Sequence, residues 1–173
     1  MHVLTSTSSL MLWQDVIKQA ENRCSISLKQ ELEAYLVSLL VRYTNRPDIV
    51  RQIVATAFLN AIQEESRQHS LQCIGDQCLL FTGLFPQITK RRQVKIKYYV
   101  DLGRSAYAAI SSTTNDLYSS LAFEFVALMD VLQSIREYSE LLPLDAYEQW
   151  NEVGSQRALQ VLQTFTKKIP LKI

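Results

Sequence analysis

Apolar residues separated by steps of three and four recur along almost the whole chain, and this spacing restricts its fold more than any other feature. Between residues 28 and 43 they are Leu28, Leu32, Tyr35, Leu36, Leu39, Leu40 and Tyr43, one face of a helix with 3.6 residues per turn. Ser27 and Gln30 form a capping-box pattern at its start. Glu31 and Glu33 near the positive end of the helix dipole, with Arg42 and Arg46 near the negative end, complete the signature. Pro47 suits the first turn of a further helix. The stripe Ile49, Val50, Ile53, Val54, Ala57, Phe58, Ala61 and Ile62 carries that helix to Glu64 and Glu65.

The same spacing predicts a first helix over about 9–23, presenting Trp13, Val16, Ile17 and Ala20, and a helix over 71–85 that ends near Thr82 and Gly83, before Pro86. A helix over 117–135 carries Leu117, Leu121, Phe125, Leu128, Leu132 and Ile135, with Thr114 or Asn115 as its cap and Asp116 in its first turn. Pro143 opens a short helix through Tyr147 and Trp150, and Ser155, after Gly154, opens a last one with Leu159, Leu162 and Phe165 on one face. One stretch has two readings. Val94, Ile96, Tyr98 and Val100 alternate as in a strand, whereas Tyr99, Leu102, Gly103, Ala106 and Ile110 form a helical stripe. No second strand candidate exists to pair with a lone one, so 92–111 is assigned to a helix whose Gly103, Ala106 and Ala109 admit a close neighbour. The expectation is an all-α fold: one compact bundle of about six to eight helices spanning 1–173, with 1–8 as lead-in and 167–173 as a tail.

Composition narrows the function classes. Eighteen Lys and Arg stand against 17 Asp and Glu, a formal charge of +1, which carries no global bias toward nucleic acid or an anionic membrane. Four glycines and four prolines argue against a β-barrel, a collagenous chain or disorder. No apolar run reaches the length of a membrane span, and the N-terminus has no basic region of the kind that begins a secretory signal. Cys24, Cys73 and Cys78 match no zinc spacing, and His2 and His69 are the only histidines. Neither a metal nor another cofactor is therefore expected, and cysteines used as small hydrophobes suit a reducing cytoplasm. Cys73 and Cys78 stand roughly 140° apart around a helix, too far round to bridge each other.

No nucleophile elbow, phosphate-binding loop, zinc-protease motif or dinucleotide fingerprint is present. Two constellations remain. Lys90, Arg91, Arg92, Lys95 and Lys97 lie within eight residues and are followed by Tyr98 and Tyr99. This is a candidate contact for an anionic partner, or else a solvated loop and first helical turn. Asp76 is the only charged residue between Leu71 and Lys90, and a carboxylate on so apolar a helix must find a partner or reach water. Asp76, Tyr99, Asp101, Arg104 and Tyr107 are candidates for a polar ligand pocket between 71–85 and 92–111. The alternatives are a structural ion pair or an exposed Asp76 beside Gln72 and Gln77.

The stretch Gly75-Asp76-Gln77-Cys78-Leu79-Leu80-Phe81-Thr82-Gly83-Leu84-Phe85-Pro86, followed by Tyr98-Tyr99-Val100-Asp101-Leu102-Gly103-Arg104-Ser105-Ala106-Tyr107, resembles a family of small bacterial proteins with a GD…LF.TGLFP…YYVDLGR.AY pattern. The resemblance covers the middle of the chain, implies a bacterial source and brings no catalytic residue, activity or cofactor. It falls on the same Asp76, Asp101, Arg104 and Tyr107 that polarity singles out.

These observations lead first to a non-enzymatic cytoplasmic helical protein acting through protein–protein interaction, as a homodimer. A small-molecule binding protein or enzyme with its site between 71–85 and 92–111 is the second reading. Nucleic-acid binding through 90–97 is the third.

Overall fold

Residues 74–83 are buried without exception, which a helix achieves only when other helices surround it. The computed structural model describes residues 2–45, 67–87, 91–112, 116–136 and 141–168. Among them are eight helices and no strand: α1 (His2–Cys24), α2 (Gln30–Asn45), α3 (Arg67–Leu84), α4 (Ile96–Ile110), α5 (Leu117–Phe123), α6 (Phe125–Gln133), α7 (Pro143–Val153) and α8 (Gln156–Lys168). The protein is an all-α bundle. The central helix α3 packs most extensively on α4 and then on α6; α1 packs on α2 and α6, α5 on α4, and α7 on α8 and α4. The predicted helix over 49–62 lies outside the described residues, as do Lys90 and residues 169–173.

Two glycines set how closely these helices approach. A Cβ on Gly103 would stand 2.6 Å from the Phe125 ring and 2.8 Å from Cys78 Cβ, and one on Gly83 would stand 2.5 Å from Leu132 Cβ. Helices α3, α4 and α6 therefore meet at points where no side chain fits between them. The expected small-residue seam on α4 holds at Gly103 and Ala106, both buried, while Ala109 faces solvent.

Several element ends differ from the sequence reading. Helix α1 begins at His2, well before residue 9. In α2 the Glu33 N–H donates to Lys29 O at 3.0 Å, so Lys29 is the cap in place of Ser27, and Gln30 is the first residue of the helix. The two-way stretch at 93–100 resolves as a turn, with Gln93 at φ 54, followed by α4 from Ile96. Asp116 is itself the cap of α5, accepting from the Ser119 N–H at 2.7 Å. The apolar spacing over 117–135 conceals a break at Glu124, whose φ −92 and ψ 15 leave the helical region. The break turns Phe125 inward, its ring 6.1 Å from that of Tyr107, and leaves Phe123 exposed.

A buried polar cluster fastens the C-terminal helices to the bundle. Asp130 on α6 accepts from Ser155 Oγ at 2.5 Å and from the backbone N–H groups of Gln156 and Arg157 at 3.1 and 3.4 Å. Ser155 Oγ in turn accepts from the Ala158 N–H at 3.0 Å. The first turn of α8 is thus capped by a residue of another helix as well as by its own serine. Gly154, at φ 75, ends α7 in the left-handed conformation that glycine tolerates. Burial raises the Asp130 carboxyl to about 6, against the pull of these donors. Because the native carboxyl titrates above the unfolded one, its contribution to stability is complete below about pH 4 and is lost as pH rises through about 6. Carbon-13 NMR of the side-chain carboxyls is expected to show Asp130 titrating near 6 in the folded protein. A midpoint at or below 4 would contradict this environment.

Candidate functional site

Asp76 sits two and a half turns into α3 with 2% of its surface exposed. Three donors from two other helices converge on it. Tyr35 Oη of α2 donates to Oδ1 at 2.5 Å and Tyr107 Oη of α4 donates to the same oxygen at 2.6 Å. Arg42 of α2 donates from Nη2 to Oδ2 at 3.2 Å, forming an ion pair whose arginine end is half exposed. Gln72 Nε2 donates to the Tyr35 hydroxyl at 3.3 Å. The Tyr35 and Tyr107 rings meet edge to face, centroids 6.3 Å apart, and the Arg42 guanidinium lies 5.9 Å from the Tyr35 ring centre.

Local sequence places each of these groups. Tyr35 and Arg42 are seven residues apart, two turns of α2, and so project from one face. Tyr107 reaches α3 because the residue before Asp76 is Gly75, where a Cβ would stand 2.5 Å from the Tyr107 ring. The Gly75–Asp76 pair therefore provides both the space for the ring and the acceptor for its hydroxyl.

The electrostatics are those of a closed network. Burial raises the Asp76 carboxyl above its usual range, while the Tyr107 and Tyr35 hydroxyls and the Arg42 charge pull it down. Burial, and then the Asp76 charge, push both tyrosines above their ordinary value. At neutral pH both phenols remain protonated donors, so neither is suited to act as a base or nucleophile. With both carboxylate oxygens engaged, the arrangement suits holding three helices together better than binding a ligand.

Of the five pocket candidates, the structure brings together Asp76 and Tyr107 only. Tyr99 is buried against Phe81, ring centroids 5.7 Å apart. Asp101 is exposed and pairs with Lys97 one turn earlier, at 2.5 Å. Arg104 donates from Nε to Ala122 O at 3.1 Å, on the side of α4 that faces α5. The cation of Asp76 is Arg42, and the second hydroxyl is that of Tyr35; the sequence reading had placed neither there. Their signal was the i,i+7 spacing, masked because Tyr35 also fits the apolar stripe of α2 and Arg42 also fits a dipole-end role.

Four of the five residues of the basic run are described, and three of them are engaged locally. Lys95 pairs with Glu152 at 2.7 Å, Lys97 pairs with Asp101, and the Arg92 guanidinium lies 5.6 Å from the Phe81 ring centre. Arg91 is exposed, and of the two following tyrosines only Tyr98 is open to solvent. Cys24 and Cys78 are buried thiols and Cys73 is half-buried. Among the described residues no group of three or more His, Cys, Asp and Glu could hold a metal ion, and no helix is long and apolar enough to cross a membrane. A cleft of about 350 Å³ lies elsewhere, between Pro86, Lys95 and the Asp145, Glu148 and Gln149 side of α7.

No protein-family model, curated protein or solved structure matches the chain, so the family resemblance stands on its quoted residues alone. Replacing Asp76 by Ala strands two buried hydroxyls and a guanidinium. It is expected to lower unfolding stability by about 3–5 kcal/mol in urea titration, and Gly75→Ala by about 1–3 kcal/mol through displacement of Tyr107. Wild-type stability in Asp76→Ala would contradict the structural role.

Proposed function

We propose that this chain is a non-enzymatic helical protein of the cytoplasm that acts by protein–protein association, as a homodimer joined through the outer face of α7. The observation that carries this reading is the apolar stripe Leu144, Tyr147 and Trp150, which is 69%, 50% and 39% exposed. The three side chains recur at intervals of three along one side of α7, and the Tyr147 and Trp150 rings touch edge to face at 6.3 Å. Leu142, just before the helix, extends the same patch. A contiguous apolar surface bordered by charge is the usual mark of an interaction site, and aromatic side chains are the usual anchors.

The border supports a second copy as the occupant. Glu148 is exposed on α7, while Lys95 at the start of α4 reaches α7 to pair with Glu152. Both signs of charge therefore flank one apolar stripe. In a two-fold contact each residue meets the partner's counterpart of its neighbour, so a border of mixed sign is complementary to itself. The closed network around Asp76 agrees with a protein whose polar interior holds the scaffold and whose activity lies at its surface.

Sedimentation velocity across a concentration series is expected to show a dimer. The double variant Leu144→Glu, Trp150→Glu is expected to be a monomer that keeps the helical circular-dichroism spectrum of the wild type, since neither side chain belongs to the buried core. A wild-type protein that stays monomeric at high concentration, or a variant that dimerises as well as wild type, would contradict the reading.

A further inference from the structure

Glu21, near the end of α1, is a third buried acid beside Asp76 and Asp130. It is 6% exposed, and its Oε1 has no hydrogen-bond partner. An ionised carboxylate with an unfilled buried oxygen is costly, and protonation relieves the cost by turning an acceptor into a donor. The acceptor for that proton is at hand. Glu33 of α2 faces Glu21 across the α1–α2 contact. Lys18, three residues before Glu21 on α1, holds it there by donating to Glu33 Oε2 at 2.8 Å. We propose that the α1–α2 joint is a pH-sensitive latch, closed when Glu21 donates a proton to the Glu33 carboxylate and loosened when Glu21 ionises.

The chain turns about Glu21, which places its carboxyl at the joint. Its backbone carbonyl accepts from the Ile26 N–H at 3.1 Å. This bond closes the end of α1 across Ser25, whose φ of 56 lies in the left-handed region. The Leu28 N–H, just before α2, acts on the Glu21 carboxyl. Two residues beyond Glu21, Arg23 donates from Nη1 to the carbonyls of Ser134 and Ile135 at 2.9 and 3.0 Å. A change in how the end of α1 is seated on α2 is therefore passed to the end of α6.

The charges around Glu21 set the direction of the response. Burial, and then the neighbouring Glu33 carboxylate, raise its pKa, against the Leu28 N–H and the Lys18 charge. The other charged groups on the helices packed against α1 are directed elsewhere. On α2, Arg42 pairs with Asp76 and Glu31 is exposed, and on α6 Asp130 acts on Cys24. Lys18, itself 63% exposed, thus faces two carboxylates when both are ionised. Because the native Glu21 carboxyl titrates above the unfolded one, its contribution to stability is complete below about pH 4 and is lost as pH rises through the native midpoint. The latch tightens as pH falls.

The test is amide hydrogen exchange of the full-length protein at about pH 5 and about pH 8, read by mass spectrometry and corrected for intrinsic exchange rates. Opening of the segment 15–26 is expected to increase on the order of twofold or more at the higher pH, the size of repulsion between neighbouring like charges. Glu21→Gln, whose amide donates to Glu33 at either pH, is expected to remove that change, while the start of α8, capped by Asp130, keeps its own pH dependence. Carbon-13 NMR of the side-chain carboxyls gives a reading that needs no variant, with Glu21 expected to titrate above the ordinary glutamate value of about 4.3. Equal opening of 15–26 at the two pH values would overturn the proposal. So would a Glu21→Gln protein with the pH dependence of the wild type, or a Glu21 midpoint at or below the ordinary value.

Discussion

A single carboxylate at the centre of the bundle governs how the other helices are arranged. Asp76 lies in the part of α3 that is buried all round, and a charge in that position is tolerated only when its oxygens are filled. The groups that fill them come from α2, through Tyr35 and Arg42, and from α4, through Tyr107. These three donors fix the rotation of α2 and α4 about their own axes relative to α3, which hydrophobic burial alone specifies weakly because apolar stripes slide over one another at small cost. Gly75 makes the arrangement sterically possible, and Gly83 and Gly103 bring α6 and α4 into contact along the same central helix.

The fold class was legible in the spacing of apolar residues because helical periodicity survives in every described segment. What the spacing did not show was where it is interrupted. Residues 117–135 keep their three-and-four rhythm across Glu124, although the backbone breaks there to turn Phe125 inward. The strand-like alternation at 93–100 was equally uninformative, since Ile96 and Val100 belong to the buried face of α4 in either reading. Asp76 was legible as the lone charge in an apolar run. Its partners were not, because the sequence does not say which helix faces α3. Arg104 was the natural candidate by proximity to Tyr107, yet a separation of three residues leaves it roughly 60° around α4, enough to point it at α5.

Asp130 shows the same principle from the other side. It is the only charged residue between Glu124 and Arg136, the same signal that marks Asp76, and it is likewise buried and filled with donors. The two carboxylates have parallel tasks: one joins α2 and α4 to the centre, the other joins α8. Both are filled by donors of the protein itself, so each serves to join helices.

The central claim is that Tyr35 and Tyr107 act on one shared acceptor. A double-mutant cycle with Tyr35→Phe and Tyr107→Phe, read by urea unfolding, tests it directly because phenylalanine keeps the ring packing and removes only the hydroxyl. A shared Asp76 predicts that the two losses are not additive, with a coupling of about 0.5–3 kcal/mol. Losses that sum within error would show the hydroxyls to be independent and would contradict a network centred on Asp76.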